Sequence, residues 1–393
     1  MTVVRLNSAQ VLAVACVGVL LGAWLKRKLP VLERLNLPTP VVGGMIFALV
    51  ALVLHSRNLT VEADGTLRDL LMIAFMTTIG LSARLKLIRE GGAKLLWLLA
   101  LSSVGAVLQN LLGIGLAKTM GADPRVGILT GSVALAGGPA TALAFGATFE
   151  KMGVAGATEI GIASATFGIA VAGLIGGYVG GWLIRRHRLK PRAQPTGSKI
   201  GHIGAGSADG SLLNMVLIVG MAVGLGNVLS GQIERTGLIL PAYIGAMIVA
   251  AVIRNLDDRF GFARISQPGV DLVGRVALNL FIVMALVTLR LWELKNLALP
   301  MLVILAAEVA LCLAMCCTIV YWWMGRDYKA AVESSGFCGY MLGITANAVA
   351  CMEELVEKYG PAPEAFLVVP VVGAFLIDFA NSLVITTMAN MLR

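Results

Sequence analysis

The chain has 393 residues, of which 58% are hydrophobic and only 13% charged, and its mean hydropathy is +0.86. A soluble protein of this length has no use for so much apolar surface, which excludes a water-soluble enzyme or binding module and leaves a protein whose solvent is lipid. The formal net charge of +9 does not point to nucleic acid, because the basic residues stand at the ends of apolar runs, where they act as orientation signals in a bilayer.

Taken in chain order, the first half carries five expected membrane spans: Ala9–Leu25, Pro40–Leu54, Leu67–Arg84, Lys94–Thr119 and Ala157–Ile184. Each is close to the length that crosses about 30 Å of hydrocarbon as a helix. Lys26, Arg27 and Lys28 follow the first span instead of preceding it, which is unlike a cleavable signal peptide. A polar stretch rich in Gly, Pro and Ser runs from Arg185 to Gly210 and reads as a cytoplasmic linker. Beyond it come Ser211–Ser230, Pro241–Ile253, Val270–Leu289, Leu299–Met324 and Ala365–Met391. Two further segments, residues 127–150 and 330–357, are apolar but interrupted, one by Gly137-Gly138-Pro139-Ala140, the other by Gly336, Gly339 and Gly343.

The two halves resemble each other weakly but in order. Pro40-Val-Val-Gly-Gly-Met-Ile answers Pro241-Ala-Tyr-Ile-Gly-Ala-Met-Ile, and Phe149-Glu-Lys-Met-Gly answers Val356-Glu-Lys-Tyr-Gly. An internal repeat of this kind is common in transporters. If the interrupted segments are re-entrant hairpins, about two thirds of the 31 lysines and arginines fall on the linker's face of the membrane, as the positive-inside rule requires. The expected fold is therefore all-α and polytopic, with residues 1–184 and 211–393 forming an inverted repeat of five spans and one hairpin each. Both termini then lie outside, the hairpins enter from opposite sides, and their tips meet near the midplane.

Broken backbone inside a bilayer is costly unless it is buried in protein or lines a wet cavity, so the tips are the expected substrate site. A returning half-helix presents free N–H groups and the positive end of its dipole, which suits a carboxylate. The candidates are Gly137, Gly138, Ala140 and Thr141 at the first tip, and Thr345, Ala346 and Asn347 at the second. A hard cation such as sodium prefers oxygen ligands. Thr77 and Thr78 mark an expected unwound point, and Asp378 and Asn381 share a helix face one turn apart. Glu159 and Thr166, seven residues apart, are candidates for coupling or gating. Glu308 is a candidate proton site, gate residue or half of an ion pair. The six cysteines lie in apolar stretches without metal-ligand spacing, so no metal beyond sodium and no cofactor is expected. Nothing resembles a nucleotide loop or a nucleophile–base pair, so neither a primary pump nor a hydrolase is expected.

Several runs resemble the bacterial sodium/glutamate symporter family: Leu67-Arg-Asp, Thr78-Ile-Gly-Leu-Ser-Ala, Ala157-Thr-Glu-Ile, Ala165-Thr-Phe-Gly, Gly173-Leu-Ile-Gly-Gly, Leu291-Trp-Glu-Leu and Leu297-Ala-Leu-Pro-Met-Leu. The longest is Ala365-Phe-Leu-Val-Val-Pro-Val-Val-Gly-Ala-Phe-Leu-Ile-Asp. The resemblance implies sodium-driven glutamate uptake at the cell inner membrane, an elevator-like moving domain and a homodimer. The departures fall at the tips, where the family usually has Gly-Gly-His-Gly-Thr against Gly137-Gly138-Pro139-Ala140-Thr141 here. At the second tip its Ala-Thr-Pro-Thr stands against Ile344-Thr345-Ala346-Asn347. Two alternatives stay open at this point: a sodium-coupled symporter of another organic anion such as a hydroxycarboxylate, and an ion channel on the same repeat.

Overall fold

The computed structural model describes residues 2–34, 37–191, 211–234, 243–292 and 298–392. Most of the expected linker, from residue 192 to 210, lies outside the described residues, as does Pro241. The fold is helical throughout, apart from one two-stranded ribbon. Eight helices among the described residues are long and apolar enough to cross a bilayer. They are α1 (Ser8–Lys28), α3 (Thr39–Ser56), α5 (Leu85–Thr119) from Gly92 onward, α8 (Ala157–His187), α9 (Ser211–Glu234), α11 (Gln267–Val287), α12 (Ala298–Met315) with its continuation to Trp323, and the Pro363–Met391 stretch. Two expected spans, α4 (Thr66–Ser82) and α10 (Tyr243–Phe260), are not among them. The first has 17 residues, and the last turns of the second carry Arg254, Asp257, Asp258 and Arg259.

Both interrupted segments are broken helices. In the first, α6 (Pro124–Ile128) runs into a π-helical turn at Leu129–Val133, and α7 (Gly138–Lys151) starts after the break. In the second, α14 (Tyr328–Leu342) stops at Gly343, and α15 (Thr345–Tyr359) starts after Ile344. Each of α14 and α15 has 15 residues, about 22 Å of rise, which is short of a bilayer core.

The chain divides into two compact units, and each draws on both halves of the sequence. The first comprises Met1–Ala83, Pro139–Ala163 and Ala208–Met301. It holds the first three expected spans of each half, and its helices meet through small residues. A Cβ on Gly43 of α3 would lie 1.8 Å from the Gly18 carbonyl oxygen of α1. Likewise a Cβ on Gly245 of α10 would lie 2.3 Å from the Gly226 carbonyl oxygen of α9. A Cβ on Gly80 of α4 would lie 2.2 Å from the Met247 carbonyl oxygen of α10, and one on Gly44 of α3 would lie 2.6 Å from Leu286 Cδ1 of α11. Only glycine permits such approach, and lipid-exposed helices gain most of their association energy from it.

The ribbon belongs to this unit and was not expected from the sequence. Strand β1 (Thr2–Leu6) pairs in parallel with β2 (Leu59–Ala63). Since β1 leads into α1 and β2 follows α3, the N-terminus shares a face with the α3–α4 connection. Ser8 and Thr66 both donate to Asp64, and these hydrogen bonds hold its carboxyl at about 2, below the ordinary 3.8. The expected unwound point at Thr77 and Thr78 is absent. The helix α4 continues to Ser82 because both hydroxyls bond carbonyls of their own helix, Ile73 at 2.7 Å and Phe75 at 2.6 Å.

The second unit comprises Arg84–Gly138, Ser164–Ser207 and Leu302–Arg393. It holds α5, α6, most of α8, most of α12, α13 (Tyr321–Trp323), α14, α15, α16 (Pro363–Val371) and α17 (Ile377–Met391). Its segments are tied by side chains reaching broken or close-packed backbone. Ser335 donates to the Gly176 carbonyl at 2.8 Å, and Gln109 donates to the Met341 carbonyl at 3.1 Å.

The glycine contacts give a paired prediction. Gly43→Val should destabilise the detergent-solubilised protein by about 1–3 kcal/mol through overpacking, lowering its thermal midpoint. Gly115→Val, at a position where nothing lies within 4 Å, should leave that midpoint nearly unchanged. Equal effects would overturn close backbone approach as what holds α1 to α3.

Candidate functional site

The site is assembled from the helix breaks of the second unit. Gly138 has φ +67, a conformation that disfavours side chains. A Cβ there would lie 3.2 Å from Ile344 Cγ2 and 3.7 Å from the Gly343 carbonyl oxygen. The end of the first break is thus packed against the second. Before it, the Gly137 N–H donates to the Ser132 carbonyl at 2.9 Å. The partition of the chain falls inside the first tip: Gly137 and Gly138 belong to this unit, whereas Ala140 and Thr141, both buried, belong to the other.

At the second break, Ile344 gives α15 no side-chain cap. Thr345 is half-buried, Ala346 exposed and Asn347 fully buried. Asn347 spends its amide nitrogen on the Ile169 carbonyl at 2.9 Å, while its Oδ1 has no partner among the described residues.

Deeper in the same unit lies a group of buried oxygens. Asn381 donates to the Ser132 carbonyl at 2.8 Å, and Asn110 Oδ1 accepts the Ser132 N–H at 3.0 Å. This arrangement leaves Asn381 Oδ1, Ser132 Oγ and Gln109 Oε1 buried without partners among the described residues. Asp378 stands one turn before Asn381, half-buried, and its carboxylate has no hydrogen bond or ion pair among the described residues. It lies two residues after a π-helical turn at Val372–Leu376, which itself follows Pro370 inside α16. An unpaired buried oxygen costs about 1–3 kcal/mol, so several together suit a bound hard cation.

The remaining candidates are dispersed. Thr77 and Thr78 lie in the first unit, apart from Asp378 and Asn381 in the second. The boundary between units also falls between Glu159 and Thr166, although α8 carries both. Glu159 is buried, and its Oε1 accepts the Arg290 N–H at 2.7 Å. It lines a cavity of about 460 Å³ in the first unit, with Arg68, Asp69, Glu150 and Arg290. A neighbouring cavity of about 510 Å³ is closed on one side by His55 stacked on Trp292 at 3.7 Å. Glu308 is fully buried, and neither carboxylate oxygen has a partner among the described residues.

Three features escaped the sequence reading. Gln109 and Asn110 form an amide pair inside an apolar span, and Pro370 is a helix breaker, both signals present in the sequence. The third is the cysteines. Without metal-ligand spacing in the sequence, Cys312, Cys316 and Cys338 come together, with their sulfurs all within 4.8 Å of one another.

Helices of spanning length, joined to two helix breaks that meet in one compact unit, define a polytopic membrane protein with a discontinuous-helix site. The sodium/glutamate symporter family model matches residues 4–361. The sodium/glutamate symporter of Escherichia coli K12 is 38% identical over 97% of both chains. That of Haemophilus influenzae is 36% identical over 96% of this chain and 95% of its own. The chain belongs to the sodium/glutamate symporter family. Among solved structures, a sodium proton antiporter from Methanocaldococcus jannaschii matches at 15% identity and a TM-score of 0.45, covering 97% of each chain.

The contact between breaks predicts a steric phenotype. Gly138→Val places a branched side chain at positive φ against Ile344, at a cost of about 1–3 kcal/mol. It should abolish substrate binding, measured by isothermal titration, while the protein stays monodisperse. Ala346→Val, at an exposed position on the facing tip, should weaken binding without loss of stability. Normal binding by both variants would place the site elsewhere.

Proposed function

We propose that the chain imports glutamate together with sodium across the cell inner membrane by alternating access, with the substrate carboxylate held at the helix breaks of the second unit. The observation that carries this reading is the packing of Gly138 against Gly343 and Ile344, in a chain of the sodium/glutamate symporter family. The donors are the backbone N–H groups at Gly138 and at the start of α15, where Thr345 and Ala346 begin a helix with no side-chain cap. Asp378, Asn381 and Ser132 supply oxygens for sodium. Thr77 and Thr78, their hydroxyls committed to their own helix, are dropped from that role.

The inverted repeat, with re-entrant hairpins and both termini outside, is supported by the packing of the first unit. Gly80 of α4 meets Met247 of α10, and its repeat counterpart α11 meets Gly44 of α3 through Leu286, a reciprocal exchange between halves. The cavity lined by Arg68 and Asp69 at the start of α4 is also lined by Thr288 and Arg290 at the end of α11, as expected if these counterparts run in opposite directions. Support for an elevator-like motion is the partition itself. One unit gathers the first three spans of each half; the other gathers the last two with the breaks, except for the α7 arm. The protein is expected to be a homodimer. We place Glu159 at the outer face, as a residue that fixes the loop after α11 through Arg290.

Proteoliposomes test the activity directly. Glutamate uptake should require an inward sodium gradient and fail with potassium in its place; sodium-independent uptake would overturn the proposal. For the ion site, Asp378→Asn and Ser132→Ala should each raise the half-saturating sodium concentration about tenfold, equivalent to roughly 1.4 kcal/mol. Glutamate affinity at saturating sodium should barely change. An unaltered sodium dependence in both variants would reduce this group of oxygens to a structural role. For topology, a cysteine at Gly65 should react with an impermeant maleimide on intact cells, whereas one in the 192–210 segment should not.

A further inference from the structure

The three thiols in the second unit are not used by the transport reading. Cys312 and Cys316 lie four residues apart on one face of α12, and Cys338 projects from α14. All three are buried, and their sulfurs lie within 4.8 Å of one another. A tetrahedral ion with metal–sulfur bonds of about 2.3 Å holds its sulfurs about 3.8 Å apart, so small side-chain adjustments close the site. Cys338 is held in place by its neighbours. A Cβ on Gly339 would lie 2.5 Å from Ala348 Cα, and one on Gly336 would lie 2.6 Å from Val369 Cγ1. At Cys316 the helix widens into a π-helical turn, Cys316–Val320, a distortion that is common at functional sites.

A second observation points to a ligand. Glu308 is one turn before Cys312 on the same helix face, fully buried, with both carboxylate oxygens unpartnered among the described residues. A carboxylate placed there without a partner is expensive in a membrane. Its oxygens lie outside the 4.8 Å group that the three sulfurs form, so a four-donor set is completed by rotating its side chain toward them.

We infer that Cys312, Cys316, Cys338 and Glu308 form a binding site for a thiophilic metal ion of the zinc and cadmium class. The chemistry selects the metal: three soft sulfur donors and one carboxylate suit a d¹⁰ ion and not the sodium that the oxygens near Asp378 suit. Each sulfur that ligates releases its proton to solvent as the metal binds. The cation's charge then offsets thiolates that the apolar surroundings disfavour. A metal held here bridges α12 to α14, the arm that leads into the second break, so occupancy fastens that arm to its neighbouring span. Slower uptake on metal binding follows from this and rests on the transport reading; the binding itself does not.

The test is cadmium titration of the purified full chain in detergent, followed by the ultraviolet sulfur-to-cadmium charge-transfer absorption. The unaltered protein and a Cys16→Ser variant, which removes the exposed thiol, should both show a band saturating at one cadmium per chain. Cys312→Ser and Cys338→Ser should lose the band. Cys312→Ala gives the same readout should either serine variant fail to remain monodisperse. Glu308→Gln should retain the band but weaken cadmium affinity about tenfold or more. No band in the unaltered protein, or a band that disappears only with Cys16, would overturn the site and leave three packed neutral thiols. A normal band with uptake indifferent to cadmium would retain the site but overturn the fastening of α14. If uptake is sodium-independent while the band behaves as stated, the transport reading fails and the metal site stands.

Discussion

A polypeptide away from water cannot leave its backbone N–H and C=O groups unsatisfied, and this chain breaks two helices among buried residues. Much of the second unit follows from that constraint. The Ser132 N–H and carbonyl, exposed by the first break, are taken up by Asn110, Asn381 and Gly137. At the second break Gln109 donates to the Met341 carbonyl, and Asn347 bonds Ile344 through its own N–H and Ile169 through its side chain. Asn381, Gln109 and Asn347 have therefore spent their side-chain nitrogens on protein backbone. What they leave over is oxygen: Asn381 Oδ1, Gln109 Oε1, Asn347 Oδ1 and the Ser132 hydroxyl. Repair of broken backbone thus leaves buried oxygen acceptors, the donor type that a hard cation needs.

Both units combine close glycine contacts, as between Gly113 and Gly127 in the second, with side chains that bond carbonyls, as Asn255 does to Ala83 in the first. In the first, backbone also meets backbone through Gly18, Gly22, Gly43, Gly226 and Gly245. Dispersion over close contact does not depend on ligand and gives a stiff arrangement. In the second, polar side chains likewise reach carbonyls on other segments, as Ser335 does to Gly176. Such contacts have direction and alternatives, so they suit a region whose partners change when an ion or substrate binds.

The architecture was legible in the sequence because its causes are periodic and local. Spans announce themselves by apolar length, and both breaks by Gly137-Gly138-Pro139 and Gly343. The π-helical turn before Asp378 had a visible cause in Pro370, but a proline in an apolar run is also compatible with a simple kink. The misreading of Thr77 and Thr78 has a physical reason. A hydroxyl in a helix bonds its own preceding turn without unwinding it, and sequence alone does not separate that outcome from ion ligation. The cysteine cluster was hidden because Cys338 is brought to Cys312 and Cys316 by tertiary packing, not by spacing. The β1–β2 ribbon was missed because five-residue strands next to long apolar runs leave little alternation to detect.

No arginine has been placed at the breaks, and the start of α15 explains why none is needed. A helix N-terminus offers donors and a positive dipole end at no cost in buried charge. At α15 the Asn347 N–H is already bonded to Ile344, so the donors left to an anion are those of Thr345 and Ala346. Two parallel N–H groups match the two oxygens of one carboxylate. At the other break Pro139 removes one N–H from the first turn of α7, because proline has none, which shifts the anion's donors toward α15. Close to those donors, near Gly343, lies the unpartnered Asn347 Oδ1. An acceptor there repels a second carboxylate but welcomes an ammonium group. Donors and a lone acceptor side by side are complementary to a zwitterion, and this favours an amino acid over a simple organic anion on the electrostatics of one helix end alone.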